Sequence, residues 1–258
     1  MNDAEINSRI QGLDATLFSE IMSQTTDADQ KSLLAIQACT RAGSETYVYL
    51  EIGSYLGGSI QPHLLDPKCR KIYSIDKRQL ISHDERVEKP DYPGNTQKHM
   101  LSLLTALDRE NVAKIECLEG DTRSIPPSLI REAPNLCFID GEHTPSAVVA
   151  DFDFCRRVCA ANATIVFHDA QTVFRGLRSV ISKLKKSRRK FSAHALSDMV
   201  YAICLDDSAI PSQLRRFSSQ LRKDDLWSPR NDLRLMKWRA IAFKQRASGV
   251  ATRLLGNG

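Results

Sequence analysis

The sequence predicts an α/β domain: a mostly parallel sheet of seven strands, helices on both faces and an antiparallel strand at one edge. Three observations predict it. Runs rich in β-branched and aromatic residues alternate with helical patterns from Tyr47 to about Cys204, the signature of βαβ units. The first run, Tyr47-Val48-Tyr49-Leu50-Glu51-Ile52, breaks on Gly53, and Gly57-Gly58-Ser59 then opens a helical pattern. Open α/β sheets bind ligands at such strand ends. The last two runs are joined by only a few residues. A parallel crossover needs about a dozen or more, so this pair is antiparallel.

Taken in order, Thr26–Arg41 reads as a helix, with Leu33, Leu34, Ile36 and Ala38 on its apolar side and Gly43 as its stop. Strands follow at Tyr47–Ile52, Lys71–Ile75, Lys114–Leu118, Asn135–Ile139, Thr164–Phe167, roughly Lys190–Ala195, and Met199–Leu205. Helical patterns lie between them at Gly57–Leu65, Thr96–Leu107, Thr122–Arg131, Ser146–Val158 and Thr172–Leu184. Pro90–Gly94 is a turn-rich loop, and Lys183–Lys190 is a basic run at a solvated helix end. Near the C-terminus, Leu233, Met236, Ala240, Phe243, Ala247, Val250 and Leu254 recur at alternating spacings of three and four. That places them on one stripe of a helix predicted over Asp232–Leu255. The chain therefore divides into a helical segment at 1–46, the sheet domain at 47–206 and a basic helical tail at 207–258.

Composition narrows the class. The 258 residues are 42% hydrophobic and 26% charged, ordinary for a globular protein. No apolar run approaches the roughly eighteen residues of a membrane span, and the acidic start Met1–Glu5 lacks the apolar core of a signal peptide. The expectation is a cytoplasmic protein with no transmembrane segment. The seven cysteines are odd in number and show no paired spacing. Cys117, Cys137 and Cys204 fall in strand-like runs, and Cys155 and Cys159 share a helix without further ligands, so all read as reduced thiols. The net charge of +5 is uneven: residues 211–258 carry eleven Lys/Arg against three Asp, a balance of +8, which leaves −3 for the rest. The main domain is not basic, which argues against specific nucleic-acid binding, and any attraction to an anionic partner belongs to the tail.

The loop at Gly53 is not G-x-G-x-x-G, the spacing that brings a pyrophosphate onto a helix N-terminus. Glu51 would also repel a pyrophosphate; an acid there suits a ligand carrying positive charge. The pattern E-x-G-x-x-x-G-x-S resembles motif I of the class I S-adenosylmethionine (SAM) methyltransferases, whose ligand has a sulfonium and an ammonium group. The second strand ends at Asp76, and a carboxylate offers the paired acceptors that a ribose diol needs. The third ends before Asp121, where this family commonly meets the adenine amino group, and the fourth ends at Asp140. Any one of these acids could be a helix N-cap, Asp121 before Thr122 above all. Four successive strand-end carboxylates on one rim are costly without a ligand. The resemblance implies cofactor contacts at Glu51, Gly53, Ser54, Tyr55, Gly57, Ser59, Asp76, Asp121 and Asp140.

Asp140-Gly141-Glu142-His143 and Phe167-His168-Asp169-Ala170 end adjacent strands. Together with the helix that follows, they resemble the methyltransferase domain 24 group and, more distantly, the catechol-type O-methyltransferases, over roughly residues 47–205. In the catechol type a strand-four Asp and an acid–amide pair after strand five hold Mg²⁺. Carried over, this implies a divalent metal, Mg or Mn, at Asp140, Asp169 and His168. The departure is the histidine, since Mg²⁺ wants oxygen ligands and imidazole suits Mn, Fe or Zn better. His143 stands where the catechol type carries its basic lysine. Methyl transfer needs alignment of donor and acceptor and removal of the acceptor's proton, by a histidine near neutrality or with a metal's help. The candidates for that step are His143, Asp140 and His168. His63, His83, His99 and His194 lack a carboxylate context and read as surface or packing residues.

The expected activity is SAM-dependent methylation of oxygen. The chain has no Asn/Asp-Pro-Pro-Tyr/Phe tetrapeptide of amino-group methylases and no Lys-Asp-Lys-Glu spread of ribose 2′-O-methylases. Domain 24 relatives imply a hydroxylated small molecule or glycan as acceptor. Two other readings compete: a non-catalytic SAM-binding or scaffold protein docking through its basic tail, and a nicotinamide oxidoreductase. An acid after the second strand also binds NAD ribose, but the glycine spacing counts against the latter. The tail stripe has three fates: packing on its own domain, pairing in a homodimer, or peripheral contact with an anionic membrane. The stripe is thin and Gly249 weakens it by about 1 kcal/mol, which favours docking or dimer contact over the membrane.

Overall fold

In the computed structural model, which describes residues 2–79 and 91–241, the apolar runs pair into one seven-stranded sheet. The strands are β1 (Tyr47–Ile52), β2 (Cys69–Asp76), β3 (Ile115–Glu119), β4 (Leu136–Ile139), β5 (Thr164–Phe167), β6 (Phe191–Ala195) and β7 (Tyr201–Leu205). Their order is β3-β2-β1-β4-β5-β7-β6. The first five run parallel. β7 pairs antiparallel with both β5 and β6, as the short connection requires. The order reverses between β1 and β4, so their carboxyl ends flank the crevice where such sheets take ligands.

Every residue of β1 is buried, because helices cover both faces of the sheet. The helices are α1 (Asp3–Gln11), α2 (Asp27–Gly43), α3 (Gln61–Leu65), α4 (Gln97–Leu107), α5 (Pro145–Val158), α6 (Phe174–Lys186) and the short α7 (Ile210–Leu214). Threonines open three of them: Thr26, Thr96 and Thr144 each accept a backbone N–H of the first turn. On one face Phe152, Phe154, Phe174 and Leu177 pack against the sheet, each burial contributing about 1.5–3 kcal/mol. On the other, Ile36, Leu64, Met100 and Leu104 do so. A third cluster joins Ile6, Ile10, Leu17 and Phe18 to Leu34 and Ala38 of α2. All seven cysteines are free thiols.

Three expectations are corrected. The helix predicted over Thr122–Arg131 is only a 3₁₀ turn at Pro127–Leu129. Pro126 is extended there, because a residue before a proline is pushed out of helical backbone. The helix predicted from Gly57 begins at Gln61, since residues 54–57 are spent on a tight turn closed by the Gly57 N–H on the Ser54 carbonyl.

The tail departs most. It is helical from 229 to 241, where the described residues end. It docks through Asn231 and Leu235, both buried, and half-buried Trp238. The predicted stripe lies on the other side, with Leu233, Met236 and Ala240 exposed. Phe243, Ala247, Val250 and Leu254, and likewise His83 and the first residue of the Pro90–Gly94 loop, lie outside the described residues. Among the described residues no helix is long and apolar enough to cross a membrane.

Candidate active site

A cleft opens over the carboxyl ends of β1, β2 and β4. Gly53 forms its floor with a φ of +91°, and a Cβ there would sit 2.2 Å from the Asp140 carbonyl oxygen. Only glycine lets the two strand ends approach this closely. Of the residues predicted for a cofactor, Gly53, Ser54, Tyr55, Ser59, Asp76 and Asp140 line the cleft.

Three others do not line it. Glu51 lies beneath the floor, fully buried, and accepts the hydroxyls of Tyr49 and Ser59, each at 2.6 Å. Burial pushes its carboxyl up to about 7, despite those two donors. Gly57 turns against Leu104. Asp121 is tied to its neighbour Arg123 and to Lys77 (2.7 Å), and these cations hold it well below the usual carboxylate range. Lys77 also reaches Glu142 at 3.0 Å and so bridges the β2 and β4 ends.

Asp76 is poised to hold more than it already does. Its Oδ2 accepts the Tyr55 N–H at 2.9 Å and its Oδ1 the Arg78 N–H at 2.6 Å. A carboxylate has about four lone-pair sites, so capacity remains toward the cleft. Tyr55 is held with a positive φ of 44°, a costly conformation for a bulky residue. Its N–H on Asp76, the Arg78 guanidinium on its carbonyl (2.6 Å) and its hydroxyl on Pro93 (2.9 Å) all fix it there.

The ends of β4 and β5 gather the acids and histidines. His143 Nε2 lies 3.2 Å from Asp169 and 3.9 Å from Asp140. Asp169 also adopts a left-handed φ of 51°, which aspartate tolerates better than most residues. Ligand atoms of Asp140, His143 and Asp169 lie within 4.8 Å of one another, so His143 rather than His168 completes the acid–imidazole cluster.

His168 is engaged elsewhere. Its Nδ1 is 3.1 Å from Asp140 Oδ1 and its Nε2 is 3.1 Å from Asp29 Oδ2, an acid of α2 with no exposed surface. Burial disfavours the imidazolium, but the Asp140 charge and both hydrogen bonds outweigh it, and the pKa rises well above the ordinary value. Asp140 answers in kind: burial would raise it, yet the His168 charge and the histidine hydrogen bonds hold it at about 2.

Several lining residues were not anticipated from sequence. Met22, Ser23 and Gln24 form one wall. Gln61 places them: its amide donates to the carbonyls of Phe18 (2.8 Å) and Ile21 (2.9 Å), and its carbonyl accepts the N–H groups of Glu20 and Ile21. Asp151 reaches the cleft from α5, nearly buried, with Thr122 donating to it at 2.6 Å. Burial raises its carboxyl to about 6. A signal existed, since Ala147, Val148, Asp151, Phe152 and Cys155 share the buried face of α5, and an acid at a core position needs a reason.

Seven strands in this order, closed by an antiparallel edge pair, with a carboxylate-lined cleft over the β1–β4 switch point, define the class I SAM-dependent methyltransferase fold. Residues 50–170 match the sequence profile of a methyltransferase domain family. The structure is similar to that of the O-methyltransferase NovP (TM-score 0.59, 10% identity, 79% of this chain and 99% of that one). It is also similar to CalS11, a TDP-rhamnose 3′-O-methyltransferase of calicheamicin biosynthesis (0.52, 14%, 80% and 97%), and to cofactor-bound Rv0187 from MTB (0.51, 13%, 80% and 89%). Among curated proteins it is 28% identical over 126 residues to the uncharacterized protein R132 of Acanthamoeba polyphaga mimivirus. That alignment covers 48% of this chain, and the chain spans about half the length (51%) of that relative.

Proposed function

We propose that this chain transfers a methyl group from SAM to a hydroxyl of a small molecule or glycan. The observation that carries the reading is one cleft holding both the Gly53 loop with Asp76 and the Asp140–His143–Asp169 cluster. SAM supplies a methyl group activated on a sulfonium. Asp76 holds the ribose diol through its remaining lone pairs, and the floor at Gly53 admits the ligand against bare backbone. The buried Glu51 sets a negative potential beneath that floor to the extent that it is ionised; it makes no direct contact.

His143 removes the acceptor's proton. Asp169, 3.2 Å away, orients the ring and stabilises the imidazolium that forms. His168, held as an imidazolium between Asp29 and Asp140, fixes the Asp140 carboxylate in place; with both nitrogens donating, it serves as neither base nor ligand. Asp140, His143 and Asp169 also suit a divalent metal, and two carboxylates with one imidazole fit Mn²⁺ better than Mg²⁺. Such an ion would lower the acceptor hydroxyl's pKa.

A hydroxylated acceptor is supported by the polar side chains of Ser23 and Gln24 in the lining of the same cleft, groups that can hydrogen-bond an acceptor's other hydroxyls. CalS11, by its description, methylates a sugar hydroxyl. The test is a thermal-shift panel with SAM, its demethylated product S-adenosylhomocysteine and NAD, followed by methyl-donor turnover against pooled hydroxylated metabolites and glycans. Stabilisation by SAM with turnover supports the reading. Stabilisation by SAM without turnover in any pool supports a binding protein, and stabilisation by NAD alone supports an oxidoreductase.

A further inference from the structure

Six large apolar side chains are exposed among the described residues, and four of them, Trp227, Leu233, Met236 and Ile241, fall within fifteen positions of the tail. Leu233 and Met236 are 57% and 67% exposed. Helical periodicity puts Leu233, Met236 and Ala240 on one face and Asn231, Leu235 and Trp238 on the opposite one. The second face is docked; the first looks outward.

The patch is held in place rather than fraying. Leu226 and Leu235 are buried in the main core. The Asn231 amide donates to the Asp225 carbonyl at 2.9 Å. Arg178 of α6 donates to the Leu226 and Ser228 carbonyls and to Asp232, at 2.9, 3.1 and 2.8 Å. Arg234 donates to Gln171, two residues from Asp169. A rigid apolar face loses little entropy when it is covered.

Its charge says what covers it. Arg230, Lys237 and Arg239 are exposed on the same helix, and Lys185 lies 5.8 Å from the Trp227 ring. Within 227–241 the sequence carries four Lys/Arg against one acid, Asp232, which is paired with Arg178 at 2.8 Å. A symmetric dimer would set this patch on its own copy, bringing cation against cation. A nucleic acid would use the cations and leave the aliphatic face unused. An anionic lipid surface uses both, with apolar side chains in the headgroup boundary and Lys/Arg at the phosphates.

We propose that the 227–241 face is a peripheral docking surface for anionic membranes. It sits beside the loop that carries Asp169 and needs nothing from the methyltransferase reading.

The test is co-sedimentation of the full chain with phosphatidylcholine vesicles, with and without phosphatidylserine, at low and high salt. Binding is expected only with phosphatidylserine and is reversed by salt. Leu233→Ser with Met236→Ser should weaken it by about tenfold or more. Arg230→Glu with Lys237→Glu should weaken it comparably. Both pairs are exposed, so melting temperatures should match the parent, which separates lost docking from lost folding. Equal sedimentation with and without phosphatidylserine, or unchanged binding by Leu233→Ser/Met236→Ser, overturns the proposal. So does a concentration-dependent dimer that this double variant dissociates, which would show that a second copy covers the face.

Discussion

His168 in the loop after β5 and Asp29 in α2, 139 residues apart in sequence, meet at 3.1 Å in the buried interior. The contact ties the N-terminal segment to the rim of the cleft. Asp29 also accepts the Met199 N–H at 2.9 Å and anchors the capping box with Thr26, so one carboxylate joins α2, the β5 end and the loop before β7. Asp29→Ala leaves the His168 charge without its innermost partner. Breaking a buried pair costs about 3–5 kcal/mol. Urea unfolding should show that loss, with a smaller one for Asp29→Asn. Stability unchanged by both substitutions would mean that His168 is neutral and the pairing energetically idle.

Asp76 should carry the ribose. Asp76→Ala removes charge-assisted hydrogen bonds worth on the order of 1.5–3 kcal/mol, roughly ten- to hundredfold in affinity. Gly53→Val should abolish binding, because the added Cβ meets the Asp140 carbonyl. Calorimetry with S-adenosylhomocysteine reads both. Unchanged affinity in the pair would remove the cofactor assignment.

His143→Ala should lower turnover by about 10²–10⁴ while leaving S-adenosylhomocysteine affinity within a few-fold. Asp169→Asn should lower it less, since it removes the orienting charge but keeps the imidazole. Treatment with a chelator distinguishes the two uses of the cluster. Activity that survives chelation but falls in His143→Ala belongs to the base; activity lost on chelation and restored by Mn²⁺ belongs to a metal.

Most of the sheet was legible because its signals are local. β1 and β5 were readable to the residue from apolar runs ending in Gly53 and His168, and the short β6–β7 link dictated antiparallel pairing. The strand-end acids were legible as a set, but their partners were not. Glu51 and Tyr49 lie two residues apart on one side of β1, and the Tyr49 hydroxyl donates to the buried carboxylate. Asp121 looked like a ligand acid until Lys77 and Arg123 proved to occupy it. The N-terminal wall was invisible because it depends on distant backbone. A Cβ on Gly58 would meet the Met22 carbonyl at 2.4 Å, and no periodicity announces that contact. The tail erred by phase: a three-four stripe shows that a helix is amphipathic, while Leu235 and Asn231, off the stripe, decide which side docks.

Asp151 offers a test that is independent of catalysis. Its folded pKa of about 6 stands above the ordinary 3.8 because burial disfavours the carboxylate. An acid whose folded pKa is raised binds its proton more tightly when folded. Its contribution to stability is present in full below about pH 4 and is lost as pH rises through about 6. Above that the ionised form costs about 3 kcal/mol at most. Thr122 can still donate to the amide oxygen of an asparagine, so Asp151→Asn keeps the hydrogen bond seen at 2.6 Å and removes the charge. The variant should therefore gain stability relative to the parent between about pH 4 and about pH 7, by about 1–3 kcal/mol, with little difference at the acid end. Thermal melts across that range check it. A gain that is constant with pH would mean that Asp151 does not titrate there. A loss at neutral pH would mean that the carboxylate has a cationic partner which the Thr122 contact alone does not reveal.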